Sequence, residues 1–310
     1  MVLKNSDKRG MFFTVIALIL IAFFLISYTV YSVVQDREPI NKRVDSMNNF
    51  IFSLEQDMSR QIYISGYRAL VALDSHVTTK GSFLSNSREA LKEAILNGTL
   101  NSQPINLMEG YRLEDWAPRV QSLSNSVNLF ASYSIKNISV SQDDPWSVKI
   151  EVIIDMNLSD KSNLASWNKT QKISSRIEIT GFEDPLYLMN TNGKITNRIN
   201  KTAYLPFVQG SDISNLTLHV QSSNYIPSPL APSFLDRLEG KTIGNEQGIE
   251  SLVYIPELSA QGIDVEDKSA VDYIYFSSSN PDSKRIQGMP FWFKLDEPHL
   301  SVYNASHLAV

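Results

Sequence analysis

The sequence predicts an α+β fold, in which an N-terminal transmembrane helix continues into a long amphipathic helix and a mostly antiparallel β-sheet ectodomain follows. Three observations predict it. No charged residue occurs from Met11 to Val34. Beyond Pro39 apolar residues recur at helical spacing, and from Val148 the polarity alternates with a period of two. Helical patterns at one end and strand patterns in the middle are typical of α+β proteins.

The uncharged segment from Met11 to Val34 is long enough to cross a bilayer, which takes about 20 apolar residues. It is longer than the core of a cleaved secretory signal, which is about 7–15 residues. Tyr28 and Tyr31 near its end suit the membrane interface. We predict a single-pass anchor in the cell membrane. Basic residues flank both sides, but the short tail ahead of the anchor is expected to stay in the cytoplasm, with the bulk of the chain outside.

The N-terminus also resembles a class III, prepilin-type leader of the kind found on archaeal pilin-like proteins. The matching residues are Lys8-Arg9-Gly10 followed by Met11-Phe12-Phe13-Thr14 and an apolar run. The resemblance implies cleavage between Gly10 and Met11 and packing of the apolar helix with other pilin-like subunits. Pilins usually carry Glu at the fifth mature position, where this chain has Val15. A plain signal anchor with basic flanks is the alternative.

A second helical pattern runs from Asn41 to His76, and Pro39 predicts a kink or break ahead of it. Its apolar seam should bury against a partner helix or a sheet. The same seam is the predicted contact with pilin-like or envelope proteins. It consists of Val44, Met47, Ile51, Leu54 and Met58.

Two shorter helices are predicted next. One runs from Ser87 to Leu96, capped by Asn86 and ended by Gly98. The other runs from about Ala117 to Phe130, with Val120, Leu123, Val127 and Phe130 on its apolar face.

Strands follow. Val148 to Met156 alternates apolar and polar residues, and Ile173 to Ile179 repeats the pattern, so the two should pair antiparallel. Ala131 to Val140 should join them. Asn192-Gly193 predicts a hairpin after a strand at Leu186 to Met189. Shorter strand candidates are Leu216–Val220, Leu252–Ile255, Tyr273–Phe276 and Phe291–Phe293.

A proline cluster near residue 230 predicts a break, followed by a short helix from Ser233 to Leu238 that stops at Gly240. The predicted organisation is therefore a tail or leader at 1–10, a transmembrane helix at 11–34, a helical stalk at 35–78, a β-rich ectodomain at 79–230, and a second lobe or extension of it at 231–310.

Composition excludes several classes of protein. The net charge of −5 gives no basic face for nucleic acid. The chain has no cysteine, which removes disulfides, thiol catalysis and thiolate metal sites.

N-glycosylation acceptor motifs are more frequent than chance predicts, although an Asn/Ser/Thr-rich composition would also produce them. A glycosylated surface protein, as in many archaeal envelopes, is the functional interpretation. The acceptor residues are Asn97, Asn137, Asn157, Asn168, Asn200, Asn215 and Asn304.

Catalytic motifs are missing from the sequence, so no catalytic, cofactor or metal site is predicted. Asp296-Glu297-Pro298-His299 comes nearest to a site and is interpreted as a solvated turn. Asp264, Glu266, Asp267 and Asp272 carry oxygens suited to Ca²⁺ but lack the calcium-loop spacing. Trp146 is interpreted as a core residue at a strand end rather than a sugar platform.

The favoured function is a structural or adhesive one at the cell surface, as a minor pilin-like subunit. A ligand-binding ectodomain that serves as a sensor or accessory module is the alternative, and a membrane-anchored hydrolase comes third.

Overall fold

The computed structural model describes the backbone of residues 8–310 and, within that range, the side chains outside 8–11 and 33–40. Residues 1–7 of the predicted tail lie outside the described part. The architecture is mixed α+β, with an apolar N-terminal helix and antiparallel sheets.

The elements are numbered in chain order. The helices are α1 (Lys8–Lys80), α2 (Ser87–Asn97), α3 (Trp116–Ser126), α4 (Pro185–Asn190), α5 (Ser214–Ser222), α6 (Phe234–Leu238), α7 (Ile255–Ala260), α8 (Asp272–Tyr275) and α9 (Glu297–Val302). The strands are β1 (Thr99–Leu100), β2 (Gln103–Pro104), β3 (Leu129–Asp144), β4 (Ser147–Asp160), β5 (Ser166–Glu178), β6 (Tyr225–Pro227), β7 (Ile249–Ser251), β8 (Ser283–Arg285) and β9 (Lys294–Asp296).

Helix α1 spans 73 residues and passes through Pro39 without ending, so the predicted break is not found there. A proline removes one helical hydrogen bond but need not terminate a helix that is continuous on both sides. Beyond Pro39, four residues of the predicted seam are buried in the chain's own core: Met47, Ile51, Leu54 and Met58. Val44 stays 39% exposed. A contact of this seam with a second chain remains a prediction.

The main sheet has the order β3-β4-β5 with both pairings antiparallel, as the alternating pattern predicted. Val148, Ile150, Val152 and Ile154 all lie on its buried face. The strands extend further than predicted, because β4 continues to Asp160 and β5 already begins at Ser166. Helix α1 packs along β5 and β4 and completes this core.

The two helices between α1 and the sheet agree with the sequence to different degrees. For α2 the prediction is confirmed: Asn86 accepts a hydrogen bond from the Glu89 N–H, and Gly98 takes a left-handed conformation with φ 70°. For α3 the predicted C-terminal end is wrong. The helix ends at Ser126, Asn128 adopts φ 58°, and Phe130 belongs to β3.

The short strands predicted after residue 180 are mostly wrong. Residues 216–220 lie in α5, and α8 covers most of 273–276. Leu252 forms only an isolated bridge with Val271, and residues 291–293 precede β9. Apolar runs this short cannot be assigned to strand or helix by periodicity, and local capping decides between them.

The predicted strand and hairpin near residue 190 are also wrong, whereas the helix after the proline cluster is present. Residues 186–189 form α4 rather than a strand, because Asp184 caps the helix and Pro185 occupies its first turn. Asn192 and Gly193 do take positive φ, at 52° and 77°, but they follow a helix and not a hairpin. The helix predicted after the proline cluster is confirmed as α6, with Ser233 and Asp236 forming a capping box.

Buried apolar residues form a first core cluster around α1, α2 and the main sheet, which also takes in Phe234, Leu235 and Ile249. A second cluster gathers residues from Leu186 to Leu308. The predicted division at residue 230 remains a prediction.

Candidate functional site

The most unusual surface of the described chain is the first part of α1. Residues Phe12–Ser32 form an apolar span of 21 residues. No residue in the most apolar part of this span is buried against the rest of the chain. Phe13 is 68% exposed, Phe24 74% and Leu25 61%. An apolar helix without a protein neighbour either enters a membrane or packs against other chains.

The junction matched to the prepilin-type leader lies at the start of this helix. Gly10 and Met11 fall in the first turns of α1. Residues 1–7 of the same leader lie outside the described residues, so the cleavage prediction rests on sequence alone.

The outer face of the main sheet is polar. Charged side chains form ladders across it, with Lys149 and Lys172 both paired to Glu151, and Lys136 paired to Asp155 at 2.7 Å. No helix in the described chain has to cover such a face, because its polar groups are already satisfied by water and by each other.

Several acceptor asparagines lie on or beside this outer face. Asn157 and Asn168 are direct cross-strand partners on β4 and β5, and both are exposed. Asn137 pairs with Ile153 and is also exposed. The sheet therefore presents Asn157 and Asn168 side by side to solvent, as glycans require, and Asn137 is exposed at the bulge of the edge strand.

The remaining acceptors are spread over other elements. Asn97 ends α2, and Asn200 lies in the segment after β5; both are exposed. The amide of Asn304 donates to the Val208 carbonyl at 3.1 Å, and that of Asn215 donates to the Pro206 carbonyl at 2.9 Å. Asn215 is the only one of the seven that is half-buried.

The largest cleft that we describe has a volume of about 860 Å³ and lies between α2, α3 and the open edge of β3. Lys92, Glu93 and Glu114 supply charged groups, and Tyr133 and Ile135 supply apolar walls. Glu93 is already engaged, since it accepts hydrogen bonds from the Thr99 hydroxyl and the Ser102 N–H. The acceptor residues Asn97 and Asn137 also line the cleft.

A buried polar cluster around His299 lies at the start of α9, where the sequence predicted a solvated turn. That prediction is wrong, because His299 is 1% exposed and Asp296 2%. His299 Nδ1 lies 2.7 Å from Asp296 Oδ2, and its Nε2 lies 3.1 Å from the Tyr273 hydroxyl and 3.2 Å from Glu250 Oε2. Burial would lower the pKa of His299, but the bonds to Asp296 and Glu250 outweigh it and raise the pKa to about 9. The cluster is a buried ion pair closed to solvent, which leaves no access for a substrate.

A second ionic group lies nearby and is completely buried. The Arg237 guanidinium contacts Asp184 at 2.5 Å and Asp272 at 2.9 Å, and all three side chains are 0% exposed. Burial opposes the charge of Arg237, but the two carboxylates raise its pKa. Asp184 also accepts from the Tyr225 hydroxyl, and Asp272 from Ser251. These bonds join α4, α6, β7 and α8, so the group acts as a structural tie between short elements.

Two further buried groups have shifted pKa values. Burial lowers the pKa of His219 to about 4; its Nδ1 lies 3.0 Å from the Thr202 hydroxyl. Burial, with the charges of Glu183 and Asp184, raises the pKa of Asp74 on α1 to about 7. The His219 imidazole is therefore neutral throughout the physiological pH range, whereas Asp74 is protonated below about pH 7.

The acidic residues considered for Ca²⁺ are not brought together. Asp272 turns inward to Arg237, whereas Glu266 pairs with Lys268 and Asp267 with Lys294. Among the side chains that the structure describes, no group of three or more His, Asp or Glu residues is placed to hold a metal ion. Trp146 lies in the β3–β4 turn, partly buried against the core, with the Lys201 ammonium 5.0 Å from its ring centre.

Comparison of the chain with protein-family models, with curated proteins and with solved structures found no match. Functional inference therefore depends on the residues and surfaces described above.

Proposed function

We propose that this chain is a single-pass, membrane-anchored surface protein with its folded domain outside the cytoplasm and a structural or adhesive role as a minor pilin-like subunit. One observation carries the proposal. The unburied apolar span Phe12–Ser32 and the core residues from Met47 to Val77 belong to one uninterrupted helix.

The dimensions of the span favour a bilayer. At about 1.5 Å per residue, its 21 residues extend about 31 Å, which matches the hydrocarbon thickness of about 30 Å. Leaving one large apolar side chain in water instead of burying it costs about 1.5–3 kcal/mol. The span carries many such side chains, so an aqueous location for it would be strongly disfavoured.

The polar sheet face supports an external location. Glycan acceptors at Asn157 and Asn168 are exposed together on it, and attached glycans would keep that face in water. The leader-like residues favour the same orientation.

The pilin-like part of the proposal rests on the N-terminal resemblance and on the helix. In pilins, one long N-terminal helix lies half in the membrane and half against a β-domain, and α1 with its sheet has a comparable layout. Val15 replaces the usual Glu. We therefore assign the chain to a minor or single-copy role and not to the main filament.

The test is the N-terminal residue of the mature protein, isolated from native membranes and identified by peptide mass spectrometry. We expect a chain that begins at Met11. As a matched pair, Gly10→Val should retain the leader, whereas Val2→Ala should be processed like the parent. Retention of Met1 to Gly10 in the parent would contradict the pilin-like assignment and leave a plain signal anchor.

A ligand-binding ectodomain is the second candidate, and the cleft of about 860 Å³ favours it. Its test is the melting temperature of the domain against a panel of small polar ligands, since a bound ligand stabilises the folded state. Ala117→Trp, which would fill the cleft, should abolish any stabilisation. Occupied glycans at Asn97 and Asn137 would obstruct the same cleft and count against this candidate.

A further inference from the structure

The end of the main sheet that lies nearest the apolar span carries an exposed apolar and basic surface. We call it the basal rim and define it as Val44, Val127, Phe130, Lys161 and Leu164. Contacts tie it together. Arg43 of α1 forms an ion pair with Asp160 and donates to the Asn128 carbonyl, while the Lys161 N–H donates to the same carbonyl at 3.2 Å.

The position of the rim along α1 can be checked from two separate contacts. At the far end of the sheet, the Ile150 and Ile177 side chains fill the space beside Gly66. At the near end, Arg43 meets Asp160. From Gly66 back to Arg43 the helix advances about 34 Å, and from Ile150 to Asp160 the strand advances about 33 Å. Helix and strand therefore run side by side in opposite directions, and β4 points toward the apolar span.

This geometry places the rim close to the bilayer. Arg43 lies about 16 Å along the helix beyond Ser32, where the apolar span ends. The β4–β5 turn lies beyond Asp160 on the side of the span and is compact, because the Asp160 N–H donates to the Ala165 carbonyl at 2.9 Å and the Asp160 carboxylate accepts from the Ser162 N–H at 2.9 Å. Leu164 in that turn thus lies within about 16 Å of the hydrocarbon edge. The headgroup layer occupies about 5–7 Å of that distance, and the rim side chains together with tilt of α1 cover the remainder.

The chemistry of the rim suits that location. Phe130 is 53% exposed, Leu164 49% and Val127 38%, which leaves a group of large apolar side chains uncovered at one end of the domain. The Lys161 ammonium lies 5.2 Å from the centre of the Phe130 ring. Aromatic rings beside lysine are favoured at membrane interfaces, where the ring meets acyl chains and the ammonium meets phosphate.

We propose that the basal rim contacts the phospholipid headgroups of the membrane that holds the apolar span, which would seat the folded domain on the bilayer surface. The proposal rests on the membrane anchor of the proposed function. It adds a second contact, made by the β3 and β4–β5 ends and not by the helix.

The absence of cysteine makes a direct test available. Leu164→Cys would be labelled with a fluorophore in the full chain, reconstituted into phosphatidylcholine–phosphatidylglycerol vesicles, and exposed to lipids that carry a nitroxide quencher on the headgroup. Ser82→Cys, just past the end of α1, is the distal control. Leu20→Cys, with a nitroxide on the acyl chain, tests the anchor itself.

The expected result is loss of fluorescence at residue 164, none at residue 82, and loss at residue 20 with the acyl-chain quencher. Fluorescence at residue 164 that matches residue 82, while residue 20 is quenched, would overturn the rim contact and leave the anchor standing. An unquenched residue 20 would overturn both.

A second variant tests whether the apolar side chains of the rim hold it at the headgroups or whether the rim merely lies near them. With the label at Ser162→Cys, the double change Phe130→Ser and Val127→Ser should reduce quenching if these side chains hold the rim on the headgroups. Quenching at residue 162 that the double change leaves unaltered would contradict the proposal. Quenching of the parent that is lost when the protein is diluted in the vesicles would also contradict it, because the position of the rim would then depend on contact with a second copy.

Discussion

The main sheet and the region beyond residue 180 place their charges in opposite ways. On the sheet, Lys149, Glu151 and Asp155 all project to the outer face, and the inner face is apolar. Beyond residue 180, Arg237 and Asp272 are fully buried and bonded to each other. One region is held by an apolar core with charges outside, and the other includes an ionic group inside.

The difference follows from the elements available. Long strands satisfy their backbone through a ladder and need only one apolar face. The later region is built from helices and strands of three to nine residues, which make few regular hydrogen bonds. Bonds from Asp184 and Arg237 connect these pieces directly. A buried pair is costly to desolvate, so removing one partner is far more damaging than the net strength of the pair suggests.

The largest expected effect is on the buried group. Arg237→Ala would leave Asp184 and Asp272 without their cation and should lower the free energy of unfolding by about 3–5 kcal/mol. Urea denaturation of the detergent-solubilised chain, followed by tryptophan fluorescence, measures it.

Arg176→Ala is the matched control, because Arg176 is also paired with an aspartate but lies half-exposed on the outer sheet face. It should leave the unfolding midpoint unchanged. Equal effects of the two substitutions would remove the contrast between the regions.

A second contrast lies within α1, between its buried and unburied leucines. Leu70 is 0% exposed in the first core cluster, so Leu70→Ala should lower the free energy of unfolding by about 2–5 kcal/mol. Leu25 is 61% exposed, and Leu25→Ala should leave the stability of the domain unchanged in detergent. The same denaturation measurement applies. A large loss for Leu25→Ala would mean that the apolar span packs against the domain.

A pH-dependent effect is expected at Asp74, where α1 meets the later region. Its pKa is raised from 3.8 to about 7 by burial and by Glu183 and Asp184. The folded state therefore holds this proton more tightly than the unfolded state between pH 4 and 7. Stability contributed by the protonated form is complete below about pH 4 and is lost as the pH rises through 7, at up to about 1.4 kcal/mol per pH unit.

Asp74→Asn should remove that slope, so the variant should exceed the parent in stability at neutral pH and not below pH 4. Denaturation midpoints across this pH range measure it, with Asp57→Asn at an exposed position of α1 as the control. An unchanged slope in Asp74→Asn would show that Asp74 does not control this pH dependence.

The sequence predicted the elements that have long periodic patterns and failed where elements are short. The alternation from Val148 to Met156 correctly predicted β4 and its buried face, and Asn86 together with Gly98 correctly predicted the ends of α2. Apolar runs such as Leu216–Val220 and Tyr273–Phe276 became helices, because capping residues outside the runs decide their conformation.

The candidate surfaces divide in the same way. The unburied span was predictable from its lack of charge, and the exposure of Asn157 from its phase in the strand. The buried His299 cluster was missed, because Asp296 and His299 also fit a solvated turn. Their spacing of three residues is compatible with a contact at a helix start, but Glu250 and Tyr273 come from distant positions in the chain.

The central claim is that the apolar span Phe12–Ser32 of α1 crosses a membrane and leaves the folded domain outside. The most direct measurement is labelling of intact cells with a membrane-impermeant maleimide, using Ser82→Cys in this otherwise cysteine-free chain and Val2→Cys with leader cleavage blocked by Gly10→Val. We predict labelling at residue 82 in intact cells and at residue 2 only after the cells are lysed. Labelling of neither residue before lysis, or of residue 2 alone, would contradict the account.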